Sequence, residues 1–306
     1  MEDYPKTLME FEERFNTEER CLEYLMQIRW PKGFHCPRCG HPKAWWTKRR
    51  LLHCAGCGYQ TSVIADTIFQ DTKKPLQLWF RALWHVTSQK YGANALGLQR
   101  VLGLGSYHTA WRWLHKLRRA MVRPGRDRLC GRVEVDETYM GGPRSGKRGR
   151  GAAGKALVVV MVDVTADKTG RIRLKHVMDA SARSLQEAIR YGIEPGSAVC
   201  TDGWTGYQGL SGAGYAHEVI REDAAVGKNL LPRPNRVVAL LKRWLLGTYQ
   251  GRVEIAHLDY YLDEFTFRFN RRTSRSRGKL FYRLVQQAVA VQPVLVRDIY
   301  RGTQKH

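Results

Sequence analysis

The stretch that decides the fold is Gly131-Arg132-Val133-Glu134-Val135-Asp136-Glu137-Thr138-Tyr139-Met140-Gly141-Gly142. Val133 and Val135 alternate with Glu134 and Asp136, the two-residue period of a half-buried strand. Tyr139 extends the strand and the paired glycines break it. An acid in such a strand is costly to bury unless it holds a cation. Taken alone, Asp136 is equally compatible with a solvated strand end. A second stretch, Ala198-Val199-Cys200-Thr201-Asp202-Gly203-Trp204, is again a short apolar run ending in Asp and Gly. Two strands that deliver Asp136 and Asp202 at the same end of one sheet form a two-carboxylate site for a divalent metal.

The segments between them set the topology. Ala156 to Val164 and Arg171 to Met178 read as strands joined by a turn at Ala166 to Gly170, so three strands form an antiparallel meander. Ser184 to Ile189 reads as a helix, and the Asp202 strand then arrives parallel to the first. A β-β-β-α-β order is that of the ribonuclease H-like fold, an α/β class with a mixed sheet, and sets Asp136 beside Asp202. Asp163 lies where a strand enters a turn, and a solvated end is its simpler reading. In this fold a third metal ligand comes from a later helix. That helix, Arg236 to Trp244 and closing near Gly247, carries no carboxylate; Asn235 begins it, just after Pro234, and has the residue type of an N-cap.

The 306 residues suffice for one large domain or two to three small ones. Against 28 Asp and Glu stand 51 Lys and Arg, a formal net charge of +23. That excess selects polyanions, nucleic acid first and an anionic membrane surface second. No apolar run approaches the roughly 18–20 residues that span a bilayer. The N-terminus, Met1-Glu2-Asp3-Tyr4-Pro5-Lys6, lacks the basic-then-apolar layout of a signal peptide. The expectation is a cytoplasmic, nucleoid-associated protein with no membrane partner. Seven cysteines, four of them grouped, suit metal binding better than a secreted disulfide framework.

The grouped cysteines are Cys36-Pro37-Arg38-Cys39 and Cys54-Ala55-Gly56-Cys57, two CxxC pairs with a 14-residue gap. Each pair can place two thiolates on one tetrahedral Zn2+. Ala44-Trp45-Trp46, Leu51-Leu52-His53 and Tyr59 to Ile64 read as three strands, which makes residues 31–70 a zinc ribbon. His35, His41 and His53 are close enough to ligate, but Cys36, Cys39, Cys54 and Cys57 already fill the site. A ribbon of this size cannot bury a sufficient core, so the metal supplies folding energy. The spacing does not decide between contact with DNA, contact with protein and a purely structural role.

Ahead of the ribbon, Cys21, Leu22, Leu25, Met26 and Ile28 give an apolar helix face within residues 1–30. Asn16 or Thr17 caps it and Trp30-Pro31 ends it. Residues 71–122 read as helical. Asn94 to Gly103 and then Ser106 to Arg119 have the helix, glycine turn and basic helix of a helix-turn-helix. In that layout Ser106, capping the second helix, Tyr107, His108 and Arg112 face the major groove; a plain helical hairpin with a solvated basic face has the same pattern. Arg118 to Arg128 is a linker, and residues 123–306 follow as the catalytic domain. Within it, the loop Pro143 to Gly151 carries Lys147, Arg148 and Arg150 and reads as a phosphate-contacting segment beside the metal site. The aromatics of 260–269 read as core. Arg271 and Arg272 begin a basic tail, and a last apolar helix, Leu280 to Val296, is expected to pack on the catalytic domain.

The two CxxC pairs, Val135 to Gly142, Thr201-Asp202-Gly203, Leu241-Lys242-Arg243-Trp244 and His257 to Arg272 together resemble the bacterial insertion-sequence DDE transposases that carry an N-terminal zinc ribbon. In that family two aspartates and a glutamate hold Mg2+ or Mn2+ on a ribonuclease H-like core, and the glutamate lies seven residues before a basic residue. Seven before Lys242 is Asn235. The resemblance therefore implies Asp136 and Asp202 as ligands with Asn235 in the third place, an amide oxygen that coordinates with one unit less negative charge. Glu137, Glu254 and Glu264 are spare carboxylates; Glu264 has Arg268 one turn on as its simpler partner.

What the resemblance implies is Mg2+-dependent cleavage and strand transfer by two-metal phosphoryl transfer. Its substrates are double-stranded DNA at terminal inverted repeats and at a target, and it acts as a homodimer or larger assembly. Lys242, Arg243, Arg112, Lys147, Arg148, Arg150, Arg271 and Arg272 are the candidate DNA contacts. Two other readings stand beside it. One is a catalytically silent DNA-binding protein derived from a transposase, suggested by Asn235. The other is a zinc-ribbon transcription factor with an unrelated C-terminal core.

Overall fold

The structure, a computed structural model, describes residues 2–141, 155–166, 168–220, 231–251 and 253–302. The chain divides into two compact units, Met1–Pro124 with Ser274–Tyr300, and Gly125–Thr273 with Arg301–His306.

The first unit opens with two helices, α1 (Leu8–Arg14) and α2 (Glu18–Arg29). Only the second is legible in the sequence. The first is seven residues long and buries Phe11 alone, too little for a helical period to show. Thr7 and Thr17 cap them, their hydroxyls accepting the N–H groups of Glu10 and Arg20. Strands β1 (Ala44–Trp46), β2 (Leu52–Cys54) and β3 (Gln60–Thr61) then form the antiparallel ribbon. Three helices follow: α3 (Leu76–Ser88), α4 (Ala95–Leu102) and α5 (Tyr107–Ala120). Asn94 caps α4, accepting from the Gly97 N–H at 2.7 Å. Gly103 ends α4 at φ +61°, a left-handed turn that glycine adopts without cost. Ser106 holds the N-cap position of α5, but its side chain makes no cap hydrogen bond.

The second unit is built on β4 (Arg132–Met140), β5 (Ala156–Thr165), β6 (Lys168–Val177), β7 (Ala198–Thr201) and β8 (Ala216–Val219), in the order β6-β5-β4-β7-β8. β4 to β6 form the expected antiparallel meander, and β7 joins β4 in parallel. This is the mixed sheet of a ribonuclease H-like domain. Helix α6 (Ala182–Gly192) covers one face, packing Leu185, Ala188 and Ile189 on Val133, Val135, Val159 and Val199. Helices α7 (Pro232–Tyr249) and α8 (Leu258–Phe269) cover the other, packing Val237, Leu241, Trp244 and Phe265 on Val158, Val160 and Leu174. β4 is therefore not a half-solvated strand. Glu134, which the alternation turns away from the apolar side, is only 4% exposed, because a second helical layer lies over it.

The chain then returns to the first unit as α9 (Arg277–Ala290), followed by α10 (Val296–Arg301). The last apolar helix was expected on the catalytic core. Instead Phe281 of α9 joins Phe11, Phe15, Tyr24, Phe80 and Trp84, with ring centroids 5.4 to 6.3 Å away. Periodicity shows that a helix face is buried, not what buries it.

Candidate active site and zinc centre

In the ribbon, the Sγ atoms of Cys36, Cys39, Cys54 and Cys57 all lie within 4.8 Å of one another. Cys36 to Cys57 is 3.7 Å and Cys39 to Cys54 is 3.6 Å. Four sulfurs about 2.3 Å from a tetrahedral zinc ion stand about 3.8 Å apart, so the donor set fits zinc. The Gly56 N–H points at Cys54 Sγ at 3.3 Å. Burial pushes the Cys36 thiol up, but the backbone amides of Cys39 and Arg38 and the neighbouring thiols outweigh it and bring it down to about 7. On Cys39 the His41 backbone amide pulls down, but the neighbouring thiols act in the opposite direction and raise it to about 12. Among the described residues it is the one cluster of three or more metal-ligating side chains at this spacing.

The second site lies on the parallel pair β4 and β7, whose register runs Arg132 to Ala198, Val133 to Val199 and Glu134 to Cys200. Asp136 and Asp202 each stand two residues beyond the Glu134–Cys200 pair. Asp136 lies midway along β4 and Asp202 directly follows the last residue of β7, and the charges of both act on one phenol, that of Tyr207. Both are half-buried. The Glu137 N–H donates to Asp136 Oδ1 at 2.8 Å, and the Trp204 N–H donates to Asp202 Oδ1 at 3.0 Å. Gly203, between them in the turn, has φ +81°, and a Cβ there would come within 2.6 Å of Val219. That glycine lets the chain leave β7 directly after Asp202.

On the opposite face, the buried Tyr207 hydroxyl donates to Glu137 Oε2 at 2.7 Å. Burial raises the Tyr207 phenol well above its ordinary value, and the Glu137, Asp136 and Asp202 charges raise it further. Three acids thus act on one phenol, which keeps its proton and continues to donate. Glu137 is held there. Glu264 is fully buried and accepts from Arg268 at 2.8 Å and from the Tyr249 hydroxyl at 3.2 Å, the pairing the sequence favours. Glu254 is exposed and lies 3.3 Å from His257.

Asn235 is not the cap of its helix. The N-cap is Leu231, with prolines at the first and third helical positions, where a missing N–H costs nothing. The Asn235 N–H makes an i to i−4 bond, to the Leu231 carbonyl at 3.2 Å. Its exposed side chain sits in the second turn, with Lys242 and Arg243 exposed two turns on.

A pair missed in the sequence anchors this helix. Arg233, in the first turn of α7, donates to Glu134 Oε1 at 2.5 Å. The Glu134 side chain is 5% exposed and its Oε2 has no hydrogen-bond partner among the described residues. The pair joins the residue two before Asp136 to the residue two before Asn235. The alternation in β4 marks Glu134 as outward-facing, so only the presence of α7 reveals it as buried.

The other candidate DNA contacts separate into groups. Arg112 is engaged by the Tyr300 hydroxyl at 3.0 Å and lies over its ring, rather than projecting from α5 alone. Arg271 folds over Phe267 and donates to the Phe267 carbonyl, and Arg272 bonds the carbonyls of Thr169, Gly170 and Phe269. Lys147, Arg148 and Arg150 lie outside the described residues. No helix among the described residues is long and apolar enough to cross a membrane.

Fold and sites together define an α/β protein of the ribonuclease H-like class with a four-cysteine ribbon ahead of it. Residues 128–270 match the family described as the ISXO2-like transposase domain, and residues 16–60 match the transposase zinc-ribbon domain. Residues 128–270 thus form an ISXO2-like transposase domain and residues 16–60 a transposase zinc ribbon. It is 28% identical over 219 residues to an uncharacterized protein in transposable element ISH50 of Halobacterium salinarum, covering 64% of this chain and 71% of that protein. A cryo-electron-microscopy structure of the simian T-cell lymphotropic virus intasome in complex with PP2A regulatory subunit B56 gamma is 17% identical. It covers 65% of this chain and 74% of that one, with a TM-score of 0.31.

Proposed function

We propose that the protein cleaves and rejoins DNA at the ends of an insertion sequence, with Asp136 and Asp202 as its metal-binding carboxylates and Asn235 beside them. The observation that supports this reading is the register of β4 and β7, in which Asp136 and Asp202 each follow the Glu134–Cys200 pair by two residues. Two ionised carboxylates side by side repel unless a cation lies between them. A divalent cation, Mg2+ or Mn2+, bound there would polarise the scissile phosphate and lower the pKa of a bound water. The backbone amides at Glu137 and Trp204 fix the direction of each carboxylate. The Glu134–Arg233 pair holds the first turn of α7 against β4 and so fixes where Asn235 stands. Lys242 and Arg243, on the exposed side of the same helix, are suited to DNA phosphates near the site. The zinc ion would be structural, holding the ribbon folded.

The test is a nicking assay on supercoiled and linear DNA with Mg2+, Mn2+ or chelator. Nicking that needs the metal and is lost in Asp136→Asn and Asp202→Asn, with DNA binding retained, is the expected result. Salt-sensitive DNA binding without nicking under any metal would overturn the catalytic reading and favour a silent DNA-binding protein, the alternative to which Asn235 points.

A further inference from the structure

The ribbon exposes what a small domain would normally bury. Trp45 is 54% exposed and Trp46 is 44% exposed, adjacent residues on one three-residue strand. Trp45 pairs across the ladder with His53, and their rings stack at 4.5 Å with planes 19° apart. Gln60, opposite His53 on the third strand, hydrogen-bonds His53 Nδ1 at 3.2 Å. Trp45, His53 and Gln60 therefore line one face of the sheet, with the indole backed on one side by a held imidazole. A flat aromatic ring pinned this way loses little further freedom when something stacks on it.

The charge around this face selects its partner. From Pro31 to Ser62 the chain carries Lys32, Arg38, Lys43, Lys48, Arg49 and Arg50 and no Asp or Glu. A zinc ion on four thiolates would return two negative charges, which leaves the ribbon basic. Arg50 is paired with Glu19. Lys43, Lys48 and Arg49 are exposed and form no ion pair among the described residues. Exposed π-faces set among unpaired cations fit a polyanion that offers flat rings. In duplex DNA the base faces are closed within the stack and only edges and phosphates are open. In an unpaired strand they are open, and aromatic side chains bind them without regard to sequence.

We propose that the Trp45 face of the zinc ribbon is a stacking platform for the bases of an unpaired DNA strand, with Lys43, Lys48 and Arg49 meeting its phosphates. The inference rests on the reading that this protein works on DNA, but not on the carboxylate site. It gives the ribbon a role in holding strands that are melted or freed at the element end.

The experiment uses the full chain, loaded with zinc, and fluorescence anisotropy with two probes. One is a thymidine oligonucleotide of about 15 nucleotides, the span of one or two stacking modules; the other is a duplex of the same length. Trp45→Ala is expected to weaken single-strand binding about 5- to 150-fold and to leave duplex binding, zinc content and circular dichroism unchanged. Trp45→Phe keeps a ring and should retain most of the affinity. Single-strand binding unchanged in Trp45→Ala would overturn the proposal and leave the face to a protein partner. Equal loss on both probes would overturn it in favour of a general phosphate contact. If the native protein bound neither probe, the DNA reading itself would fail with it, an outcome distinct from the other two.

Discussion

The ribbon draws its four sulfurs from two CxxC turns in one short stretch, whereas the proposed sheet site would draw Asp136, Asp202 and Asn235 from two strands and a helix separated by a meander and a crossover. In the ribbon the ligands are the core: with three strands of two or three residues, little else holds the segment together. In the sheet the order is reversed. β5 alone buries Val158, Val159, Val160, Met161 and Val162 completely, and the carboxylates stand at the edge of a core that needs no metal. One site should therefore fail as a fold and the other as a function.

The largest effect is expected in the ribbon. Cys54→Ser should remove the bound zinc and unfold residues around the ribbon, because structural zinc contributes roughly 10–16 kcal/mol in small metal domains. Metal analysis of the purified protein and limited proteolysis check this. A full equivalent of zinc in Cys54→Ser would break the contrast at its first term.

The next effect concerns the anchor between sheet and helix. Arg233→Met leaves the buried Glu134 carboxylate without its cation and should cost about 3 kcal/mol, the lower end for a broken buried pair, since Arg233 keeps 22% of its side chain exposed. Replacing both residues with methionine should restore most of that loss. Urea unfolding of the single and double variants reads it, and equal loss in both would mean that the pair does not act as a unit.

Much of this was legible beforehand, for reasons that differ between the two regions. Cysteine spacing encodes the ribbon because all its ligands are local. Strand order encodes the sheet because a meander, a helix and a parallel strand leave few ways to pair, and so the strands of Asp136 and Asp202 were expected as parallel neighbours, as they are. What stayed hidden depends on the third dimension. Glu134 reads as solvated until α7 covers it. The start of α7 was misjudged because Pro232 and Pro234 look like breakers, although both occupy first-turn positions. The partner of α9 was hidden because Phe281 meets aromatics from the other end of the chain.

A smaller effect sharpens the role of Asn235. Since Leu231 and not Asn235 holds the cap position, the effect of Asn235→Ala should fall on function: it should lower cleavage at every Mg2+ level. Asn235→Glu should cleave at lower Mg2+ than the native protein. Unfolding curves and cleavage rates against Mg2+ separate the two roles, and normal cleavage by Asn235→Ala would remove Asn235 from the site.

The proposed function depends most on Asp136 and Asp202 acting as one cation site, and this can be measured without DNA. Titration of the zinc-loaded protein with Mn2+, followed by calorimetry or by the electron paramagnetic resonance of free Mn2+, should reveal binding that disappears in both Asp136→Asn and Asp202→Asn, while zinc content and unfolding midpoint stay near native. Mn2+ binding of native strength in either variant would contradict it.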